Sequence, residues 1–249
     1  MTDISTNSQP VVLITGAARR IGAAIAQILH SEGMRIGIHY RSSQDEAQAL
    51  CEKLNRHKKN SACCLQGNLC HLPDIKRVSE QILDRFGRLD ALVNNASGFY
   101  PTPIEQLDAC AFDDLIASNL KGPAFLIQQL VPALRSQHGC IVNISDIYAR
   151  QPLEKHPVYC AAKAGLEGLT RALALDLAPQ IRVNAIAPGT ILWPQSNDSM
   201  ETKARSEIID SIALKRIGHE RDIAAAVLYL IRDAHYSTGQ ILTVDGGRR

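Results

Sequence analysis

The chain has 249 residues, which is long enough to bury the core of one large α/β domain. With 45% hydrophobic and 21% charged residues, its composition is that of an ordinary globular protein and excludes a disordered chain. A net charge of +2 gives no reason to expect a nucleic acid or an anionic membrane as a partner. No apolar run approaches the roughly 20 residues that a membrane-spanning helix needs.

Strands and helices alternate along the chain. In order, the sequence predicts a strand at 11–15, a helix at 20–32, a strand at 35–40, a helix ending near 54, a strand at 61–66, a helix at 75–86, a strand at 91–93, a helix at 107–136, a strand at 140–144, a helix at 157–178, a strand at 182–186, helices near 201–211 and at 219–232, and a strand at 240–244. Short buried strands that alternate with helices are typical of a parallel sheet covered on both faces. The predicted fold is therefore Rossmann-like, a doubly wound α/β sheet of about seven strands.

The first residues of the chain and its cysteines indicate the expected cellular location. Residues 1–9 are polar, without a signal-peptide pattern, and we expect them to be flexible, with 10–249 as a single domain. The seven cysteines are an odd number without a C-x-x-C pair, which favours free, buried thiols and predicts no metal site. A reducing, cytoplasmic location is the expected consequence.

The segment T-G-A-A-R-R-I-G, residues 15–22, lies between the first strand and the first helix. Gly16 allows a sharp turn, Gly22 allows close packing, and the free N–H groups of the helix end favour a pyrophosphate. Arg20 lies in this turn, where a cation is unfavourable without an anionic partner. The segment therefore predicts a dinucleotide site, with Arg20 directed at the cofactor phosphates or at the substrate.

The second strand ends in H-Y-R-S-S, residues 39–43, where an enzyme that uses NAD has an acidic residue for the ribose hydroxyls. Arg41, flanked by hydroxyl donors such as Ser42, would instead bind a 2′-phosphate through charge-assisted hydrogen bonds. NADPH is the predicted cofactor.

Tyr159 and Lys163 are four residues apart at the start of a helical pattern, so their side chains lie on one helix face. A nearby ammonium lowers the pKa of a phenol, which would make Tyr159 a proton donor near neutral pH. The spacing is common in exposed helices. The order of motifs around it favours a reductase: the glycine turn, N-N-A at 94–96, Asn119, then Tyr159 and Lys163, and Pro188-Gly189.

This order, from residue 11 to residue 247, resembles the short-chain dehydrogenase/reductase family. The resemblance implies that Asn119 organises a water near Lys163, that Lys163 adjusts Tyr159, and that a serine positions a carbonyl oxygen. Asp146 stands where that serine is expected. A carboxylate only accepts hydrogen bonds and would repel a developing alkoxide, so a heterocycle with N–H donors is a better substrate than a ketone.

The neighbouring Ser145 is the alternative serine. Adjacent strand residues point to opposite faces, so Ser145 is not expected to share the position of Asp146 unless a loop intervenes.

A narrower resemblance rests on T-G-A-A-R-R-I-G, H-Y-R-S-S, N-N-A-S-G-F-Y-P-T-P, G-L-E-G-L-T-R and the Asp146/Tyr159/Lys163 spacing. Together these are similar to the pteridine reductases, NADPH-dependent enzymes that reduce pterins and, in some members, folates. The implied substrate-binding residues are Arg20, Ser97, Phe99, Asp146, Tyr159 and Trp193, with Phe99 stacked on the pterin opposite the nicotinamide. The implied cofactor-binding residues are Gly16, Arg20, Ile21, Gly22, His39, Tyr40, Arg41, Ser42, Asn68, Leu69, Asn95, Ala96, Ser97, Tyr159, Lys163, Pro188 and Gly189.

In this comparison Arg20 replaces the usual middle glycine, and Asn68 replaces an aspartate that binds the adenine amino group. Trp193 either caps the pocket or only packs. A homotetramer, built on the helices at 107–136 and 157–178 and the last helix–strand unit, is implied by the same resemblance. Two alternatives stay open: an NADPH-dependent reductase of a 3-oxoacyl thioester or ketone, and a non-catalytic NADP(H) sensor.

Overall fold

The computed structural model describes residues 9–192 and 202–248, so most of the predicted flexible segment 1–9 and Trp193 lie outside the described residues. Within the described ranges, seven strands form one parallel sheet in the order β3-β2-β1-β4-β5-β6-β7. The strands are β1 (Val11–Ile14), β2 (Arg35–Tyr40), β3 (Ala62–Gln66), β4 (Ala91–Asn94), β5 (Cys140–Ile144), β6 (Arg182–Pro188) and β7 (Ile241–Val244). The predicted doubly wound α/β fold is confirmed.

Helices cover both faces of the sheet. They are α1 (Arg20–Ser31), α2 (Gln44–His57), α3 (Leu72–Phe86), α4 (Ala109–Ile116), α5 (Gly122–Ser136), α6 (Pro157–Asp176), α7 (Thr202–Ser211) and α8 (Glu220–Arg232), with short 3-10 turns at Ile104–Gln106 and Ile147–Ala149. In the described part of the chain, no helix is both long and apolar enough to span a membrane.

The core has two layers, one on each face of the sheet. In β1, Val12 and Ile14 pack with α1, α2 and α8, whereas Val11 and Leu13 pack with α3 and α5. Every residue of β1, β2, β4 and β5 is buried, as expected for parallel strands covered on both sides.

The helix predicted over 107–136 is interrupted. A π turn, Ala117–Lys121, separates α4 from α5, and the N–H of Gly122 donates to the carbonyl of Ala117, five residues earlier. Pro123 explains the change of spacing, because it has no N–H to donate to the carbonyl of Asn119, four residues earlier. The wider turn carries the buried side chain of Asn119, and π turns are frequent at functional sites.

Candidate active site

The predicted site residues converge on the carboxyl edge of the sheet, around the point where the strand order reverses between β1 and β4. The glycine turn follows β1, the segment 95–99 follows β4, Asp146 follows β5, and Pro188-Gly189 ends β6. In a doubly wound sheet this edge is where ligands bind.

The turn after β1 requires both of its glycines. Gly16 has a φ of +61°, and a Cβ there would lie 3.0 Å from the Cα of Ala96. A Cβ on Gly22 would overlap the carbonyl oxygen of Gly16 and lie 2.7 Å from Nδ2 of Asn95. The chain is therefore packed tightly enough for backbone N–H groups at the start of α1 to approach a phosphate.

Arg20 occupies a strained position in this turn. It is exposed and has a φ of +53°, the left-handed region where a residue other than glycine costs about 1–2 kcal/mol. The conformation explains why glycine suits this position in the family pattern. A strained backbone that retains arginine points to a function for its side chain.

We expect Arg20→Gly to leave the free energy of unfolding within about 1 kcal/mol of the wild-type value, because relief of strain offsets the greater entropy of the unfolded chain. The same change should raise KM for NADPH or substrate about 10-fold, the effect of losing one charge-assisted hydrogen bond. Urea unfolding and steady-state kinetics measure the two quantities.

His138→Gly is the matched control for Arg20→Gly. His138 is also exposed with a φ of +50°, but it precedes β5, at the opposite edge of the sheet. His138→Gly should have a similar effect on the free energy of unfolding and leave kcat and KM unchanged. An Arg20→Gly enzyme with wild-type kinetics would remove Arg20 from the site.

The segment after β2 presents cations at the position expected for a 2′-phosphate. Arg41 and Ser42 are exposed, and Arg41 has no carboxylate partner within salt-bridge distance among the described residues. Arg19, which the sequence interpretation overlooked, reaches toward the same segment, with Nη1 3.4 Å from Glu46 in α2. Two guanidinium groups therefore border this loop.

Two residues assigned to the cofactor have side chains that are turned inward. Tyr40 is buried in the core layer of α1 and α2. His39 is buried, with Nδ1 3.2 Å from the N–H of Gly16 and Nε2 3.1 Å from the carbonyl of Gly67. Burial lowers the pKa of His39 to about 4, so the ring is neutral and accepts from Gly16. His39 thus supports the glycine turn through its side chain, and its direct contact with the cofactor stays a prediction.

Arg41→Ala should raise KM for NADPH by roughly 10–100-fold, since a charge-assisted pair with a phosphate contributes about 1.5–3 kcal/mol. NADH is the internal control because it lacks the 2′-phosphate, and its KM should change less than about 2-fold. An unchanged KM for NADPH would contradict the assignment.

The segment after β4 is fastened to the glycine turn. The hydroxyl of Thr15 accepts from the N–H groups of Asn95 and Ala96, both at 2.9 Å. The amide of Asn95 donates to the carbonyls of Thr15 and Gly16, at 2.8 and 3.0 Å. Asn95 and Ala96 therefore fix the turn in place.

Asn119 holds the next residues of the same segment. Its Oδ1 accepts from the hydroxyl of Ser97 at 2.7 Å, and its Nδ2 donates to the carbonyl of Gly98 at 3.0 Å. Nδ2 also lies 3.0 Å from the carbonyl of Leu115. These contacts position the loop that carries Phe99. The water that Asn119 is expected to organise near Lys163 stays a prediction.

The ring of Phe99 is 47% exposed and borders the reactive residues. It meets the ring of Tyr159 edge-on, with centroids 4.8 Å apart, and stacks on His156 at 4.8 Å and 12°. His156 therefore covers one face of Phe99, and only the other face is available to a planar substrate. The sequence interpretation missed His156, although its place three residues before Tyr159 was a usable signal.

Asp146 and Tyr159 form the reactive centre. The hydroxyl of Tyr159 donates to Oδ2 of Asp146 at 2.6 Å, and Oδ1 accepts from the N–H of Tyr148 at 2.9 Å. Nζ of Lys163 donates to the carbonyl of Ile144 at 2.9 Å and lies 5.7 Å from the centroid of the Tyr159 ring. The carboxylate is thus in direct contact with the phenol.

Ser145 points away from this centre. Its hydroxyl donates to Oε1 of Glu167 in α6, at 3.4 Å. Consecutive residues at the end of β5 therefore face opposite ways, and Asp146 is the one that faces Tyr159.

The ionisation of the centre differs from the expectation. Burial, followed by the charge of Asp146, raises the pKa of Tyr159 well above its ordinary value. Burial also raises the pKa of Asp146, although its bonds to Tyr148 and Tyr159 and the charge of Lys163 oppose the change. The prediction that Lys163 lowers the pKa of Tyr159 is wrong in this structure, because the phenol is buried and paired with a carboxylate. Tyr159 is a protonated donor at neutral pH.

A model of the family described as "Enoyl-(Acyl carrier protein) reductase" matches residues 16–249. The chain belongs to the short-chain dehydrogenase/reductase family.

Curated members of the family are similar over nearly the whole chain. The "3-oxoacyl-[acyl-carrier-protein] reductase FabG" of Staphylococcus epidermidis is 36% identical over 94% of this chain and 97% of its own length. "Pteridine reductase 1" of Leishmania tarentolae is 36% identical over 96% of both chains. An "Uncharacterized oxidoreductase YohF" of Escherichia coli is 35% identical over 95% of this chain and 94% of its own. The chain is an oxidoreductase of this family, and its substrate must be inferred from the site.

Arg248 is a further residue near the short-chain reductase centre that the sequence interpretation missed. Its Nη1 donates to the hydroxyl of Thr190 at 2.6 Å, and its guanidinium lies 5.4 Å from the ring centroid of Tyr148. Its charge also lowers the pKa of Asp146, as a minor effect beside burial. The chain terminus therefore contributes a cation beside the site.

Gly189 brings the terminal segment to the end of β6. Its N–H donates to the carbonyl of Val244 at 2.9 Å, and a Cβ there would lie 2.6 Å from the Cα of Asp245. Pro188-Gly189 is thus closely packed against the segment that leads to Arg248.

Asn68 forms a small turn after β3. Its Oδ1 accepts from the N–H of Cys70 at 3.1 Å, its own N–H donates to Asp74 at 2.7 Å, and Leu69 is buried. The oxygen expected to contact adenine therefore already has one partner, and that contact stays a prediction.

Proposed function

We propose that this protein is an NADPH-dependent pteridine reductase, which reduces a C=N bond of a dihydropterin or dihydrofolate to the tetrahydro form, and that it also accepts the fully oxidised pterin or folate. The observation that carries the proposal is the 2.6 Å hydrogen bond between Tyr159 and Asp146 at the position where the family pattern has a serine. An acceptor there suits a ring with N–H donors better than a carbonyl oxygen.

The residues present fit NADPH. The close-packed Gly16–Gly22 turn would hold the pyrophosphate, and Arg41 with Arg19 would hold the 2′-phosphate. The buried Lys163 would bind the nicotinamide ribose. When bound, NADPH supplies the hydride for the reduction.

Substrate orientation is assigned to Phe99 and Asp146. The face of Phe99 that His156 leaves uncovered would stack on the pteridine ring, and aromatic stacking of this kind orients a planar heterocycle. Asp146 would accept hydrogen bonds from the exocyclic NH₂ and ring N–H groups.

Tyr159 would give its proton to the ring nitrogen next to the reduced carbon. The hydrogen bond to Asp146 provides a second protonatable group in contact with the phenol, so a proton can be restored through the pair. Both groups are shielded from bulk solvent, which strengthens these interactions.

Reduction of a 3-oxoacyl thioester is the second candidate, since FabG relatives are as similar as the pteridine reductase. Asp146 counts against it, because a carboxylate beside the carbonyl oxygen would repel the negative charge that develops there during reduction.

The deciding experiment follows loss of NADPH absorbance with dihydrobiopterin, dihydrofolate and an acetoacetyl thioester supplied separately to the purified full-length protein. We expect turnover of at least one of the first two and little of the thioester. Turnover of the thioester alone would overturn the proposal, and no turnover of any of them would favour a sensor.

We also propose a homotetramer. Large apolar side chains are exposed on the elements implied for assembly: Phe112 on α4 is 45% exposed, Leu175 on α6 is 81% exposed, and Leu242 lies on the edge strand β7. Sedimentation of the purified protein measures its mass, and a monomer at micromolar concentration would contradict this assignment.

A further inference from the structure

A pair of thiols lies outside the active site, between α2 and β3. Cys51 in α2 and Cys64 in β3 are both free, half-buried, and exposed to one surface cleft of about 410 Å³. The cleft is lined by Gln48, Cys51, Glu52, Asn55, Arg56 and Cys64. Small polar reagents can therefore reach both sulfurs from solvent. The sequence predicts free, buried thiols, and these two are free but only half-buried.

Hydrogen bonds hold the two sulfurs at the same helical turn. The thiol of Cys64 donates to the carbonyl of Ala47 at 3.3 Å, and Ala47 lies four residues before Cys51 in the same helix. The Cys64 thiol is therefore bound to the helical turn that directly precedes Cys51.

Asn55 links α2 to the start of β3 through hydrogen bonds. Its Nδ2 lies 3.3 Å from Sγ of Cys51 and 3.0 Å from the carbonyl of Ala62, at the start of β3. Its Oδ1 accepts from the N–H groups of Ser61 and Ala62, at 2.9 and 3.0 Å. One side chain therefore binds the sulfur of Cys51 and the strand that carries Cys64.

We propose that Cys51 and Cys64 form a dithiol site that hydroperoxides, such as hydrogen peroxide, oxidise to an intrachain disulfide. The Asn55 amide N–H at the sulfur of Cys51 favours its thiolate, which is the nucleophile in such reactions. The neighbouring Cys64 side chain, the largest cause, and the Asn55 amide lower the pKa of Cys51, whereas the neighbouring Cys51 side chain and burial raise the pKa of Cys64. Cys51 is therefore the attacking thiol and Cys64 the resolving one.

The chemistry balances with one peroxide per disulfide. The Cys51 thiolate attacks one oxygen, the O–O bond breaks, and the departing hydroxide takes a proton to become water, which leaves a sulfenic acid. The Cys64 thiol then attacks that sulfur, the S–S bond forms as the S–O bond breaks, and a second water leaves. The two thiols lose two electrons and the peroxide gains them.

Cys63 provides a contrast within the same strand. Adjacent strand residues face opposite ways, and Cys63 packs against the core layer of α3 and α5. Burial raises its pKa to about 12. It is expected to react slowly.

The test treats the full-length protein with an equimolar amount of hydrogen peroxide and analyses tryptic peptides by mass spectrometry. We expect a cross-linked peptide pair joining Cys51 and Cys64, lighter by about 2 Da than the reduced pair and restored by dithiothreitol. The exposed Cys110 is the internal reference, and Cys51 should be consumed about 10-fold faster than Cys110.

Three variants separate the roles of the thiols. Cys64→Ser should give no disulfide and let a dimedone adduct accumulate on Cys51, whereas Cys63→Ser should form the disulfide as wild type does. Cys51→Ala should abolish both products. Oxidation of Cys110 at an equal or faster rate than Cys51, or absence of the Cys51–Cys64 peptide pair in wild type, would overturn the proposal. All of these readouts are independent of substrate turnover.

Discussion

Asp146→Ser is expected to lower kcat/KM for a dihydropterin by roughly 10²–10³-fold, since it removes a charged hydrogen-bond acceptor and a proton-relay group. The loss should appear in both kcat and KM, because Asp146 contacts Tyr159 at 2.6 Å and would also bind substrate N–H groups. The variant should fold normally, as it replaces a half-buried carboxylate, whose pKa burial raises, with a smaller neutral group. Steady-state kinetics with dihydrobiopterin and circular dichroism measure these outcomes.

The control for Asp146→Ser is Ser145→Ala. Ser145 is adjacent in sequence and buried, but its hydroxyl faces Glu167 rather than Tyr159. It should leave kcat/KM within about 3-fold of wild type, as expected for a group remote from the reacting atoms. The Asp146→Ser enzyme should also reduce an acetoacetyl thioester better than wild type does, since a hydroxyl donates to a carbonyl oxygen. Full dihydropterin activity in Asp146→Ser would remove Asp146 from its assigned role.

Most of the sheet could be predicted from the sequence because its strands are short buried runs ended by turn residues. The strand predicted at 35–40 is β2, and the strand predicted at 140–144 is β5. Helix ends were less predictable. The continuous apolar pattern over 107–136 hides the π turn, which depends on the missing N–H of Pro123.

The order of motifs predicted which side chains lie together in the site. It did not predict their pKa values or their hydrogen-bond partners. The direction of the Tyr159 pKa depends on burial and on the contact with Asp146, both of which arise only in the folded chain. His39 follows a similar pattern, since its two ring nitrogens bond to backbone groups of other turns. Arg248 is 58 residues from Thr190 in the chain, so no local pattern reveals that they touch.

Lys163→Met is expected to make the cofactor-free protein more stable while nearly abolishing its activity. Lys163 is 2% exposed, and burial lowers its pKa from 10.5 to about 8, although the charge of Asp146 opposes this. Each pKa unit corresponds to about 1.4 kcal/mol, so the buried ammonium costs up to about 3 kcal/mol at neutral pH. Loss of the hydrogen bond to the Ile144 carbonyl lowers the stability by about 1 kcal/mol. The free energy of unfolding should therefore rise by roughly 1–2 kcal/mol in total.

The stability difference between Lys163→Met and wild type should depend on pH. Below the folded pKa, Lys163 is protonated in both states and its desolvation cost is present in full. Between pH 8 and 10.5 the folded state loses its proton first, so the unfolded state binds more protons and wild-type stability rises with pH. The advantage of Lys163→Met should therefore be largest near about pH 7 and shrink by about pH 10, as urea unfolding at the two pH values can measure.

Lys121→Met is the matched control, because Lys121 is exposed on the π turn and its removal should change stability by less than about 0.5 kcal/mol at either pH. Activity separates the two variants further. Lys163→Met should lower kcat/KM by roughly 10²–10⁴-fold, since its ammonium lies beside the Tyr159–Asp146 pair and would hold the nicotinamide ribose. A Lys163→Met protein that is less stable than wild type at neutral pH would show that the buried ammonium stabilises the fold. The inference that Lys163 lowers the stability of the fold while it serves activity would then be wrong.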